Sequence, residues 1–365
     1  MLAFSPKRYL TWVAASACLF FAAMWVWVAA MPLAYLDPEY PSWLAKRQML
    51  ENCDLGEVLV VGDSRAAVNI VPVLLGVKTT NLAVGGGQAI ESFVAVRRAL
   101  DCPVPPRRVV ISLNAGHFVR PDLFWERSVR FGFLDRAELA EVLRTAAALG
   151  DRSVLAPRHG DGLAPLLRGV LYAVRFPSLY FNAVLKGGVF LRLWQNQAAL
   201  EAGLASRGQY FFGTDPGSSA IAAEGALKEF VPLPVQDHYF GRLLGLLAAH
   251  DIPVDFIAMP LNRSTYAQVL PAVERDYGAY LAGYAARFGN FSIVGKVMLD
   301  WPDRFFGDAF AHLNPAGAAI YSAGFGACLR GRLQGQGLGS DGFGGQAPGC
   351  DIGWFRGEMA AAQAP

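Results

Sequence analysis

An α/β fold in three layers, built around a mostly parallel five-stranded sheet, is what this sequence predicts. Short apolar runs rich in β-branched residues recur along the chain, at 57–61 (EVLVV), 79–83, 108–113, 254–258 and 291–294. Stretches of helical composition lie between them, notably 89–100, 238–250 and 267–288. Strands alternating with helices imply parallel neighbours joined by crossovers, with helices covering both faces of the sheet.

The bulk properties agree with a folded domain. With 365 residues, 53% of them hydrophobic, the chain can bury one large core or two modest ones. Its 32 basic and 30 acidic residues leave a formal charge of +2, and no dense Lys/Arg run is present to track a phosphate backbone. Nucleic acid is therefore not an expected partner.

Taken in chain order, the first feature is an uncharged stretch over 9–36 that includes TWVAASACLFFAAMWVWVAAM. It exceeds the roughly 20 apolar residues needed to cross a bilayer and is longer than the apolar region of a cleaved signal peptide, so an uncleaved anchor is expected. Lys7 and Arg8 precede it, and Asp37 and Glu39 follow it. The positive-inside tendency then puts the N-terminus in the cytoplasm and the rest outside, in the periplasm of a Gram-negative cell. That compartment permits disulfides. Cys18 lies in the span, and of the remaining four cysteines the expected pairs are Cys53 with Cys102, each shortly before a strand, and Cys328 with Cys350, which bracket a tail. Unpaired buried thiols are the alternative.

Residues 37–56 read as a short polar connector with a helix at 43–50, where no function is expected. The main domain spans 57–330. Its alternation breaks down at about 118–236, which reads as a largely helical insertion; the aromatics there (Phe124, Trp125, Tyr172, Tyr180, Phe181, Trp194, Tyr210, Phe211) carry no assigned role. The stretch 331–365 opens with GRLQGQGLGSDGFGGQAPG and reads as a flexible tail.

Sites in parallel sheets form outside the carboxyl ends of the strands. Three polar clusters fall there: Gly62-Asp63-Ser64-Arg65, the run from Asn81 to Gly87, and Ser112-Leu113-Asn114. A serine at a strand-to-helix turn has an exposed hydroxyl beside free helix N–H groups that favour developing negative charge. Gly85-Gly86-Gly87 lets the backbone approach a reacting atom. Late in the chain, Asn314 can cap a helix that opens with Pro315, which puts His312 on the loop before it. Of the five histidines, His312 is the one with both a carboxylate close by and a pinned loop around it. If His312 meets Ser64, it is a general base beside a weak nucleophile, with Asp308 to hold its tautomer. No HExxH or CxxC is present, and no metal or cofactor is implied.

These blocks, in this order, resemble the SGNH (GDSL-like) hydrolase superfamily over about 58–329, a flavodoxin-like fold. The resemblance implies Ser64 as nucleophile, Gly86 and Asn114 joining the Ser64 N–H in the oxyanion hole, His312 as base and Asp308 as the acid of the triad. Two departures accompany it. The third block, usually GxND, here reads Ser112-Leu113-Asn114-Ala115, and the acid usually lies three residues before the histidine rather than four, which keeps Asp303 as a second candidate. Within the superfamily, the anchor, the insertion and HLNPAG look like extracytoplasmic proteins that work beside membrane-bound O-acyltransferases on alginate-like exopolysaccharides or in D-alanylation of wall polymers.

Three functions follow from that likeness. The first is an O-acyltransferase acetylating an exopolysaccharide or wall polymer, with a membrane-bound O-acyltransferase as partner. The second is an esterase with the same triad, in which water is the acceptor. The third is a non-catalytic scaffold of an acylation or export complex.

Overall fold

The computed structural model describes residues 5–120, 123–155, 188–334 and 350, with isolated positions at 167, 169–171 and 174. Helix α1 (Pro6–Ala30) starts at a Ser5 cap with Pro6 in its first turn. It is long and apolar enough to cross a membrane, and Val28 is its only buried residue. Two helices follow, α2 (Pro32–Tyr35) and α3 (Tyr40–Glu51).

The chain then runs β1 (Val58–Gly62), α4 (Ser64–Asn69), β2 (Thr79–Asn81), α5 (Ala89–Leu100), β3 (Arg108–Ser112), α6 (Ala115–Val119), α7 (Arg136–Ala148) and α8 (Val189–Ala205). It continues through α9 (Pro234–Ala249), β4 (Val254–Ile257), β5 (Leu261–Asn262), α10 (Arg263–Tyr266), α11 (Pro271–Arg287), β6 (Phe291–Val294), β7 (Asp300–Trp301) and α12 (Pro315–Leu333).

Five strands form one sheet in the order β2-β1-β3-β4-β6, and every pairing in it is parallel. Leu59, Val61, Val109, Ile111, Val254 and Phe256 enter one hydrophobic core, whereas Val58, Val60, Val110 and Ile257 enter another. The central strands are thus buried on both faces, which is why their sequences are unbroken apolar runs rather than alternating ones. Leu261 and Asn262 pair in parallel with Asp300 and Trp301 as a second, two-stranded sheet. Each of its strands is two residues long, too short to leave a pattern in the sequence.

A buried charge cluster ties the last helix to the sheet. Asp255 on β4 accepts from Arg108 Nη1 at 2.8 and 2.9 Å and from Arg332 Nη2 at 2.6 Å. Cys53 is disulfide-bonded to Cys102 and Cys328 to Cys350, the pairing expected from their positions.

Residues 37–56 do not form a spacer. α3 buries Tyr40, Trp43, Ala45, Lys46, Met49 and Leu50, and Trp43 meets Phe131 and Phe133 edge to face. The helix runs against the strand direction. Glu39 at its start reaches Gly85, beyond the carboxyl end of β2, while Cys53 just past its end is bonded to Cys102 ahead of β3.

Two further expectations need correction. The described part of the insertion is helical only as far as Ala205; between there and α9 it is irregular apart from one 3-10 turn, Ala223–Ala226. The tail begins later than 331, because α12 continues to Leu333, and beyond Gln334 only Cys350 lies among the described residues. Most of 156–187, including Tyr172, Tyr180 and Phe181, also lies outside them.

Candidate functional site

The strand order reverses direction between β1 and β3, so a crevice opens beyond their carboxyl ends. Gly62 ends β1 with φ of 145°, and a Cβ there would collide with the Ser112 carbonyl at the end of β3. Only glycine permits that approach. Asp63 N–H donates to the same carbonyl at 3.1 Å.

The Asp63 carboxylate then joins the two turns. Its Oδ1 accepts from Arg65 N at 2.9 Å and caps α4, while its Oδ2 accepts from Asn114 N at 2.9 Å and Asn114 Nδ2 at 2.7 Å. Ser64 is therefore fixed as the first residue of α4, and Asn114 retains a second amide hydrogen to donate. Asn114 also caps α6, its Oδ1 accepting from His117 N at 3.2 Å.

The glycine run packs onto this pair. Val84 N–H donates to the Gly62 carbonyl at 3.1 Å, and a Cβ on Gly87 would strike that same oxygen. Gly86 has a positive φ of 69°. Asn81, at the head of the run, does not join the site: its Nδ2 donates to Ala66 O and Ile70 O and secures the end of α4.

Burial picks out the same residues. Ser64 is the one position from 58 to 70 that is not buried, Gly86 the one from 79 to 96, and Asn114 the one from 108 to 116. Neither the Ser64 nor the Gly86 backbone N–H has a partner among the described residues.

His312 sits on a loop held to α4 from both sides. Arg65 Nε and Nη2 donate to the Phe310 carbonyl, each at 3.3 Å, and Leu313 N–H donates to Asn69 Oδ1 at 3.0 Å. Asn314 caps α12 through Gly317 N at 3.0 Å. His312 Nδ1 lies 2.5 Å from Asp308 Oδ2, and its Nε2 is buried without a partner among the described residues.

Asp308 Oδ1 accepts from Phe310 N at 2.8 Å and His312 N at 3.2 Å. Ala311 takes a left-handed φ of 59°, an uncommon state for a residue with a Cβ, and so turns the four-residue spacing back toward the acid. Burial works to raise the Asp308 pKa, but the His312 hydrogen bond and charge and the two N–H donors outweigh it and hold the carboxyl below its ordinary range. Asp303 is engaged elsewhere, accepting from Ser264 N at 3.2 Å and Ser264 Oγ at 2.6 Å.

Three site neighbours carry no signal in the sequence. Glu224, on the short 3-10 turn Ala223–Ala226 of the insertion, pairs with Arg65 at 2.6 Å with both side chains buried. Phe212 stacks on the His312 ring at 4.8 Å and also borders Gly85. Glu39 lies so close that a Cβ on Gly85 would overlap its carboxylate, which is held by Arg127 at 2.6 Å and Trp43 at 3.2 Å. All three come from segments without periodicity, so only the folded chain brings them together. Beneath the turn, Asp63, Arg65, Asn114, Glu224 and Tyr277 border a cavity of about 20 Å³, room for a water molecule but not a substrate. Among the described residues no cluster of His, Cys, Asp and Glu could hold a metal ion.

Lys46 is fully buried behind the glycine run, donating to the Ala83 carbonyl. Burial lowers its pKa to about 7, although nearby Glu39 works to raise it. A lysine pKa lower in the folded than in the unfolded chain makes the unfolded state bind more protons between about 7 and 10.4, so stability rises with pH across that window. The burial penalty is fully present below about 7. Lys46→Met is accordingly expected to compare better with the parent at pH 6 than at pH 9 in urea unfolding. A difference independent of pH would mean that the ammonium is not disfavoured by burial.

No family model, curated protein or solved structure matches this chain.

Proposed function

We propose that this chain is a serine-nucleophile acyl-transfer enzyme on a three-layer fold of the SGNH type. More particularly, we infer a membrane-anchored, extracytoplasmic O-acyltransferase that acetylates an exopolysaccharide or cell-wall polymer beside a membrane-bound O-acyltransferase. The observation that carries the reading is the pattern of burial: within the three stretches 58–70, 79–96 and 108–116, which follow parallel topology to one edge of the sheet, only Ser64, Gly86 and Asn114 are not buried. The Asp308–His312 pair is fastened to the helix that Ser64 begins.

The chemistry is a two-step exchange. Ser64 Oγ attacks the carbonyl carbon of a donor ester while its proton passes to His312 Nε2. The oxyanion is received by the N–H groups of Ser64 and Gly86 and by the second amide hydrogen of Asn114. The donor's alkoxide leaves with the proton from His312, giving an acyl-serine. A sugar hydroxyl then attacks, His312 takes its proton and returns it to Ser64 Oγ, and the ester is formed on the sugar. The apolar helix α1 supports the membrane-bound reading, with Lys7 and Arg8 on the cytoplasmic side.

The test is covalent. The full chain in detergent micelles is treated with a fluorophosphonate, and the adduct is mapped by mass spectrometry. Modification confined to Ser64, and lost in His312→Ala, is the expected result. A folded chain that remains unlabelled would favour a scaffold role. Acetate release without transfer to any added glycan would make the chain an esterase.

A further inference from the structure

The geometry points to a second membrane contact, separate from α1: the exposed first turns of α8, with Leu167 and Val170, lie in the interfacial layer of the lipid bilayer. The inference rests on the reading of α1 as a membrane span. Its first support is the register of α8 on the chain that leaves that span. Gly203 abuts Ala45 of α3, and Asn196 Nδ2 donates to the carbonyls of Leu33 and Leu36 at 2.8 and 3.1 Å.

Moving toward the start of α8 therefore means moving back along the chain toward α1. Val189 shares a hydrophobic core with Val28, the one buried residue of α1. Asn196 and Phe190 are six residues apart, roughly 9 Å at 1.5 Å per residue. Phe190 thus falls at the end of α8 that lies toward α1.

The second support is what the helix presents there. Val189, Asn196, Leu200 and Gly203 form its buried face, while Phe190, Leu191 and Trp194 point the other way, 74%, 63% and 73% exposed. Farther along the same outer face the exposed residues become Ala198 and Glu201, so the apolar surface is confined to the end nearest α1. Soluble surfaces seldom leave a tryptophan, a phenylalanine and a leucine together in water.

The third support comes from another segment. Trp25 Nε1, inside α1, donates to the Val174 carbonyl at 3.0 Å, and Leu167 and Val170 nearby are 61% and 59% exposed. Tryptophan with aliphatic neighbours and an arginine, Arg192, matches the chemistry of the layer between headgroups and acyl chains.

The test uses the full chain with Cys18 replaced by alanine, reconstituted in phosphatidylethanolamine and phosphatidylglycerol vesicles with brominated acyl chains. Single cysteines introduced as Leu191→Cys, Trp194→Cys, Phe20→Cys and Val104→Cys carry an environment-sensitive fluorophore. Val104 is exposed near Cys102, at the far end of α3. The expected result is a blue shift and loss of emission at 20, 191 and 194, with none at 104. Loss at 20 alone would overturn the second contact and leave the span standing. No loss at 20 would remove the span and the inference together.

Discussion

Asp308→Asn is expected to leave the chain folded and to lower turnover of an acetyl ester by about ten-thousand-fold. The geometry separates the two duties of the carboxylate. Oδ1 accepts from Phe310 N and His312 N, which an amide oxygen can also do, so the loop keeps its shape. Oδ2 faces His312 Nδ1 at 2.5 Å, and an amide nitrogen in its place donates to Nδ1. That moves the ring proton to Nε2, which can then no longer take up the proton that the proposed mechanism passes to it.

Turnover of 4-nitrophenyl acetate, with circular dichroism as the fold control, checks the prediction. A loss of only a few-fold would show that Asp308 does not set the tautomer. The pH dependence gives a companion constraint. Because the Asp308 pKa is depressed, its stabilisation of the loop is present above the unfolded value of about 3.9 and disappears as pH falls through the lower folded value. An acid-side loss of activity well above pH 4 therefore belongs to another group.

The second large effect is structural. Arg65→Met is expected to destabilise the chain by about 3–5 kcal/mol, the usual cost of leaving one member of a buried ion pair without the other. Glu224 is 2% exposed, and burial alone would raise its pKa; Arg65, by charge and hydrogen bond, brings it below the ordinary carboxylate range. Without Arg65, Glu224 must take up a proton or draw in water.

The double change Arg65→Met with Glu224→Met removes both charges and is expected to recover most of the stability. Activity should not return with it, since the Phe310 carbonyl would still lack the Arg65 donors that hold the His312 loop. Denaturant midpoints and ester turnover, measured together on the three variants, separate the two roles. Recovery of both would make Arg65 purely a counter-ion.

The sheet was legible in the sequence because its strands are buried on both faces, leaving unbroken apolar runs between helical stretches. The candidate site was legible as far as it follows strand ends, since parallel topology brings the turns after β1, β2 and β3 to one edge. Ser64, Gly86 and Asn114 belong to that part. The choice between Asp308 and Asp303 was not legible, because it depends on the backbone at Ala311 and on the Ser264 contacts of Asp303. Glu224 is 159 residues from its partner Arg65, and no periodicity links them. The buried face of α3 was masked by Lys46, a charged residue in a stretch that reads as a polar connector, which is in fact enclosed.

If the chain is the acyltransferase proposed above, the direction of α3 sets a length scale for delivery of the acyl group. Glu39, which touches the glycine run, is nine residues beyond Ala30 at the end of α1. Even a fully extended chain of that length reaches only roughly 30 Å. On the proposed topology the crevice faces the bilayer at close range, and a donor emerging there meets it at a local concentration fixed by this short tether rather than by bulk diffusion. The domain cut free of α1 would keep its chemistry toward soluble esters while losing that proximity.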